Sequence, residues 1–150
     1  MRKFILFLIF IIPCFVAATS FAESNLPGPY PATVISVTDG DTVKVKVQLW
    51  LGLYQEVTVR IRDIDTPEIS KAKCAKEKEL GQKAKDFLKD VLLPESRIKL
   101  TKVTEDKYGG RVVASVVMTD GEDIGQLLLK RGMAFTYNGR TKRSWCNLDN

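Results

Sequence analysis

The chain has 150 residues, 45% of them hydrophobic, enough for one domain with a substantial core and too few for two comfortable ones. A formal net charge of +5, from 23 Lys and Arg against 18 Asp and Glu, is a mild bias toward anionic partners. Histidine is absent, which excludes Ser-His and Cys-His nucleophile systems and His-ligated zinc, and leaves acid–base work to Asp, Glu, Lys or Tyr.

The first stretch, "MRKFILFLIFIIPCFVAATSFAES", has a basic start, an apolar run and a small-residue end at Ser20, Phe21 and Ala22. Residues 1–22 read as a secretory signal peptide cleaved after Ala22, so the protein is expected to be secreted or periplasmic, without stable membrane association afterwards. A retained anchor is the alternative, disfavoured because Pro13 interrupts the run. Cleavage would remove Cys14, Arg2 and Lys3, so the cationic bias shrinks and Cys74 and Cys146 remain as an even pair. In an oxidising compartment a disulfide between them is the economical reading, and two free thiols the other.

A short Pro/Gly leader, residues 23–31, precedes the domain, which is read as residues 32–150. Three stretches then alternate with period two: "ATVISV" (32–37), "TVKVKVQLW" (42–50) and "EVTVRIR" (56–62). The turns "TDGD" and "LGLY" join them into an antiparallel meander. Residues 75–92 place Leu80, Ala84, Phe87, Leu88 and Val91 on one helical stripe, with Pro94 ending the helix. Two further strands, "SRIKLTKV" (96–103) and "RVVASVVM" (111–118), flank a polar loop, and "DIGQLLLKRG" is a short helix capped by Asp123 and stopped by Gly132. Five short strands with one helix after the third and another after the fifth predict an α+β, mainly β fold. A flat five-stranded sheet would leave edges and one apolar face uncovered, so a closed OB-type barrel fits best; an SH3-like barrel or a small sandwich has similar strand spacing.

The strand phase carries acids toward the core. Val57, Val59 and Ile61 share the apolar face of their strand, and two steps further along that phase lies Asp65. Val43, Val45, Val47 and Leu49 share the apolar face of theirs, and one step back lies Asp41. An unpaired carboxylate near a core costs several kcal/mol, roughly, unless a cation or hydrogen bonds meet it. Ordinary turn formation is the plain reading of each acid taken singly. The other reading is one cation shared by Asp41, Asp65 and a backbone carbonyl such as that of Thr66, which Pro67 holds extended. An all-oxygen set suits calcium, with magnesium as a competitor, and excludes zinc or copper. Beside such an ion, Arg60, Arg111 and Glu68 meet the needs of phosphodiester hydrolysis: guanidinium groups neutralise charge building on phosphorus, and a free carboxylate activates water. For the arginines, a solvated strand face and a polar hairpin are the plain readings.

Three motifs, "DGDTV" (39–43), "RIRDIDTPE" (60–68) and "DKYGGRVVA" (106–114), resemble the staphylococcal-nuclease-like, or thermonuclease, family in order and spacing across about residues 32–137. The resemblance implies an OB-type barrel with helices that cleaves DNA and RNA in a calcium-dependent manner; a monomer is expected. It implies Ca2+ on Asp41, Asp65 and the Thr66 carbonyl, a phosphate clamped by Arg60 and Arg111, water activated by Glu68, and a nucleotide site lined by Lys107, Tyr108 and Tyr137. Arg60 matches the family position and Arg62 does not. "DKYGGR" has one glycine more than the common "KYGR", and the Cys74 and Cys146 pair is expected to clamp the tail where the best-known members have a long helix. The alternative is a non-catalytic OB-fold nucleic-acid-binding module. Such a module has no use for these acids, because carboxylates without a metal repel phosphates.

Overall fold

The computed structural model describes residues 26–107 and 109–148, so the expected signal peptide and Tyr108 lie outside the described residues. Its elements are β1 (Tyr30–Asp39), β2 (Thr42–Trp50), β3 (Leu53–Ile61), β4 (Ile64–Asp65), α1 (Ala75–Val91), β5 (Arg97–Glu105), β6 (Val112–Met118), α2 (Ile124–Lys130) and β7 (Phe135–Thr136). No helix among them is long and apolar enough to cross a membrane.

The alternating valines do what their period dictates. Val43, Val45 and Val59 are completely buried, and with Val34, Ile61, Leu100 and Val116 they fill a barrel closed in the order β1-β2-β3-β6-β5. The β1–β2, β2–β3, β5–β6 and β1–β5 pairs are antiparallel, as a meander requires. The β3–β6 pair is parallel, with Val59 opposite Val112, and the chain between these strands makes the crossover through α1 and β5. α1 packs on β1 through buried Ala84 and Leu88, and Leu92 just past its end is buried too. This is the expected OB-type barrel with two helices, made mixed by the parallel β3–β6 pair.

Four details differ from the sequence reading. β3 begins at Leu53 rather than at residue 56, because the turn needs only Leu51 and Gly52, with Gly52 at φ 75°. Leu49, expected inside, is 51% exposed, since β2 outruns β1 beyond the Ala32–Val47 pair and, among the described strands, its tip pairs with β3 alone. Part of the leader is structured: Tyr30 opens β1 and Leu26 bridges to Val103. Finally, β4 and β7 form a two-stranded sheet of their own, with Asp65 opposite Phe135. Strands of two residues leave no readable periodicity.

Candidate active site

The site is assembled at the end of the β2–β3 hairpin that joins the barrel. Thr42 pairs with Arg60, and the Ile61 amide donates to the Asp41 carbonyl at 2.8 Å, so register alone sets Arg60 beside Asp41. Arg60 Nη1 donates to Asp41 Oδ2 at 2.6 Å, and Nη2 to Asp65 Oδ1 and the Ile64 carbonyl at 3.3 Å each. Thr42 Oγ1 donates to the other Asp41 oxygen at 2.9 Å. The three charged side chains are only 14%, 7% and 3% exposed for Arg60, Asp41 and Asp65. Burial works against the guanidinium charge, but Asp41 and Asp65 outweigh it and hold the Arg60 pKa above its ordinary value.

Asp65 reaches its place by a turn rather than by simple continuation of β3. Asp63 takes a left-handed conformation, φ 62°, which aspartate tolerates better than most residues, and β4 then pairs with β7. The strand phase therefore gave the right burial for Asp65, 2% exposed, through a geometry it did not contain. Two close approaches hold the following segment. A Cβ on Gly40 would lie 2.8 Å from Thr66 Oγ1, and one on Gly81 of α1 would lie 2.6 Å from the Pro67 carbonyl oxygen and 3.1 Å from that of Glu68. Glycine at 81 thus lets the helix press against the backbone that carries Glu68.

The tail contributes a residue that sequence reasoning missed. Lys142 Nζ lies 2.7 Å from both Asp65 Oδ1 and Glu68 Oε1. Partial burial opposes its charge, yet the bonds and charges of Asp65 and Glu68 prevail and raise its pKa. What holds the tail is the expected disulfide, Cys74 to Cys146, with Cα atoms 6.0 Å apart. Trp145, 3% exposed, stacks on Phe135 at 3.9 Å, and Phe135 is the strand partner of Asp65. The clue in the sequence was "TKRSWC": once Cys146 is tied beside the "DIDTPE" loop, a basic residue four positions earlier must come near its acids.

A cleft of about 1120 Å³ opens over this centre and is bordered by Asp41, Arg60, Thr66, Glu68, Lys107, Arg111, Tyr137 and Lys142. Of the residues expected at the site, Asp41, Arg60 and Asp65 touch directly, and Glu68 joins them through Lys142. Arg111 also lines the cleft, held by Asp106 Oδ2 at 2.5 Å from its Nε. The Tyr137 ring lies 5.9 Å from the Arg60 guanidinium carbon, and Lys107 Nζ contacts the Gly139 carbonyl at 3.4 Å. Asp39, also in the cleft, has its pKa raised by burial and by the neighbouring Asp41 and Glu68, against a Gly40 amide bond that lowers it. Arg62 also borders the cleft, but its guanidinium is committed to structural partners: it donates to the Lys102 and Val113 carbonyls and to Thr104, tying the end of β3 to β5 and β6.

The donor set fits a hard divalent cation. Asp41 and Asp65 are buried carboxylates close enough for one guanidinium to span both, and Thr66 beside them is also buried. Oxygen donors without histidine or free thiolate suit calcium or magnesium. A second cluster, Cys74, Glu77 and Cys146, has ligand atoms within 4.8 Å of one another, but its sulfurs are joined in the disulfide and are not thiolates.

The fold and site define the class: a small OB-type barrel whose acids and arginines converge in one open cleft. The chain belongs to the staphylococcal nuclease homologue family, whose pattern it matches over residues 58–147. That span holds Arg60, Asp65, Glu68, Arg111 and Lys142, while Asp41 lies before it. The chain is 34% identical over 122 residues to "Endonuclease YhcR" of Bacillus subtilis (strain 168), covering 77% of this chain and 10% of that much longer protein. It is 27% identical over 137 residues to an "Uncharacterized endonuclease" of Escherichia coli, covering 91% of this chain and 74% of the relative. A similarly described protein of Escherichia coli O157:H7 matches to the same extent.

Proposed function

We propose that this protein is an exported, calcium-dependent nuclease that hydrolyses phosphodiester bonds of DNA or RNA. The observation that carries this reading is the buried Asp41–Arg60–Asp65 centre opening into a cleft with Glu68 and Arg111 on its walls. The three relatives named as endonucleases support it, and the N-terminal sequence together with the disulfide supports export.

Asp41, Asp65 and the Thr66 carbonyl would hold the Ca2+, which when bound supplies positive charge against the phosphate oxygens. Arg60 and Arg111 bind those oxygens through charge-assisted bonds that strengthen as charge accumulates on phosphorus. Glu68 takes a proton from water; the hydroxide oxygen forms the new bond to phosphorus, the P–O bond to the leaving oxygen breaks, and that oxygen takes up a proton from solvent water, with Glu68 releasing its own to solvent. The test replaces Glu68 with Gln, which keeps shape and removes the base. Calcium-dependent cleavage of plasmid DNA and total RNA should fall by about 10²- to 10⁴-fold, while oligonucleotide affinity persists. Unchanged cleavage with lost affinity would overturn the mechanism. If the wild type binds single strands but cleaves nothing, with or without chelator, the protein is instead a binding module.

A further inference from the structure

We propose that Lys142 is a phosphate-binding residue of this cleft, delivered by the disulfide-anchored tail and parked on Asp65 and Glu68 until an anionic substrate arrives. The proposal rests on the nuclease reading, and it assigns to that site a cation outside the three motifs.

An exposed lysine on an untethered tail would contribute almost nothing as an ion-pair partner, because its ordering entropy cancels the attraction. Lys142 is not untethered. Its backbone is fixed by Trp145 packed on Phe135, by Arg143 with its guanidinium carbon 4.1 Å from the same ring, and by Cys146 bonded to Cys74. Lys76 Nζ adds a bond to the Leu148 carbonyl. Four attachments around one short segment aim a single ammonium at the gap between two acids of different assigned roles, Asp65 and Glu68.

Its side chain remains 41% exposed at the cleft, against 14% for Arg60. Its two carboxylate bonds use two of three donors. Arg60 meanwhile spends both terminal nitrogens on Asp41 and Asp65. Lys142 is therefore better placed than Arg60 to turn outward to a phosphate, because Arg60 still serves buried Asp65 when it leaves. A compact ammonium on a flexible stem suits such a change of partner.

The experiment measures affinity for a fluorescent phosphorothioate single strand, which resists cleavage, with Ca2+ present and over a range of salt concentrations. Wild type, K142R and K142M are compared, with thermal unfolding of each. K142M should bind about tenfold more weakly, and its slope of log affinity against log salt should flatten by about 0.7, the value of one lost single-strand phosphate contact. K142R should keep the slope. An unchanged slope in K142M overturns the proposal, whether or not its melting temperature drops, because a purely structural lysine alters stability and not counterion release. A wild type that neither binds the strand nor cleaves ordinary DNA would instead sink the nuclease reading itself.

Discussion

The two ends of the β2–β3 hairpin are built on opposite principles. Where it joins the barrel, Asp41 and Arg60 are held by several partners each, Asp41 buried and Arg60 largely so. At the far tip, Leu49, Trp50, Leu51, Leu53 and Tyr54 are 49% to 85% exposed, and among the described strands the two pair only with each other. Polar groups are inside and apolar groups outside, the reverse of the usual order. The difference teaches what burial does to chemistry. Charges taken out of water must be matched partner by partner, and that matching fixes their positions closely enough for a site. An apolar side chain left in water is fixed by nothing.

The sharpest way to break the comparison is Arg60→Ala. It leaves Asp41 and Asp65 buried with their bridging cation gone, although Lys142 still serves Asp65. A loss of about 3 to 5 kcal/mol in urea unfolding is expected, together with loss of cleavage. A variant as stable as the wild type would show that the carboxylates are not committed to this partner.

Gly81→Ala comes next, and helix propensity gives the wrong sign for it. In an exposed helix interior alanine is favoured over glycine by about 1 kcal/mol. At this position the new Cβ meets backbone oxygens of Pro67 and Glu68 that cannot rotate away. Overpacking should cost about 1 to 3 kcal/mol and shift Glu68, lowering kcat more than it raises KM. Increased stability with unchanged kcat would mean that α1 relaxes freely from the loop.

Arg62→Lys should be milder and should separate two arginines that share one strand face. Arg62 spreads its bonds over two carbonyls and a threonine hydroxyl, which a lysine cannot reproduce with one nitrogen. About 1 to 2 kcal/mol of stability should be lost, with cleavage at low temperature retained. Loss of cleavage in a folded variant would mean that Arg62, which also borders the cleft, takes part in the chemistry.

Much of this arrangement was legible in the residues. Period two placed Val43, Val45 and Val59 inside, and the same phase carried Asp41 and Asp65 with them, because burial alternates whatever the side chain's charge. The disulfide followed from an even count. What stayed hidden depends on contacts between distant segments: the β4–β7 pair, the press of α1 at Gly81, and Lys142, 77 positions after Asp65. Leu49 failed for the converse reason, since alternation states which face a residue takes and not whether anything covers that face.

The tip supplies the smallest expected effect and the control for the others. In the double variant Trp50→Ser, Leu51→Ser, the altered residues are 74% and 85% exposed in the native state, so folding forfeits little burial when they shrink and become polar. The nearby contact of the Lys46 ammonium with the Tyr54 ring, at 4.9 Å, involves neither residue. Stability should therefore change by no more than about 0.5 kcal/mol, the usual range for surface sites, and cleavage should match the wild type. Thermal unfolding at two protein concentrations well apart, with a plasmid digestion alongside, checks both. A loss above about 1 kcal/mol that vanishes on dilution of the wild type would mean that the tip is covered in solution by another copy of the chain. A loss independent of concentration would mean that it packs within the monomer, and the contrast between the two ends of the hairpin would fail.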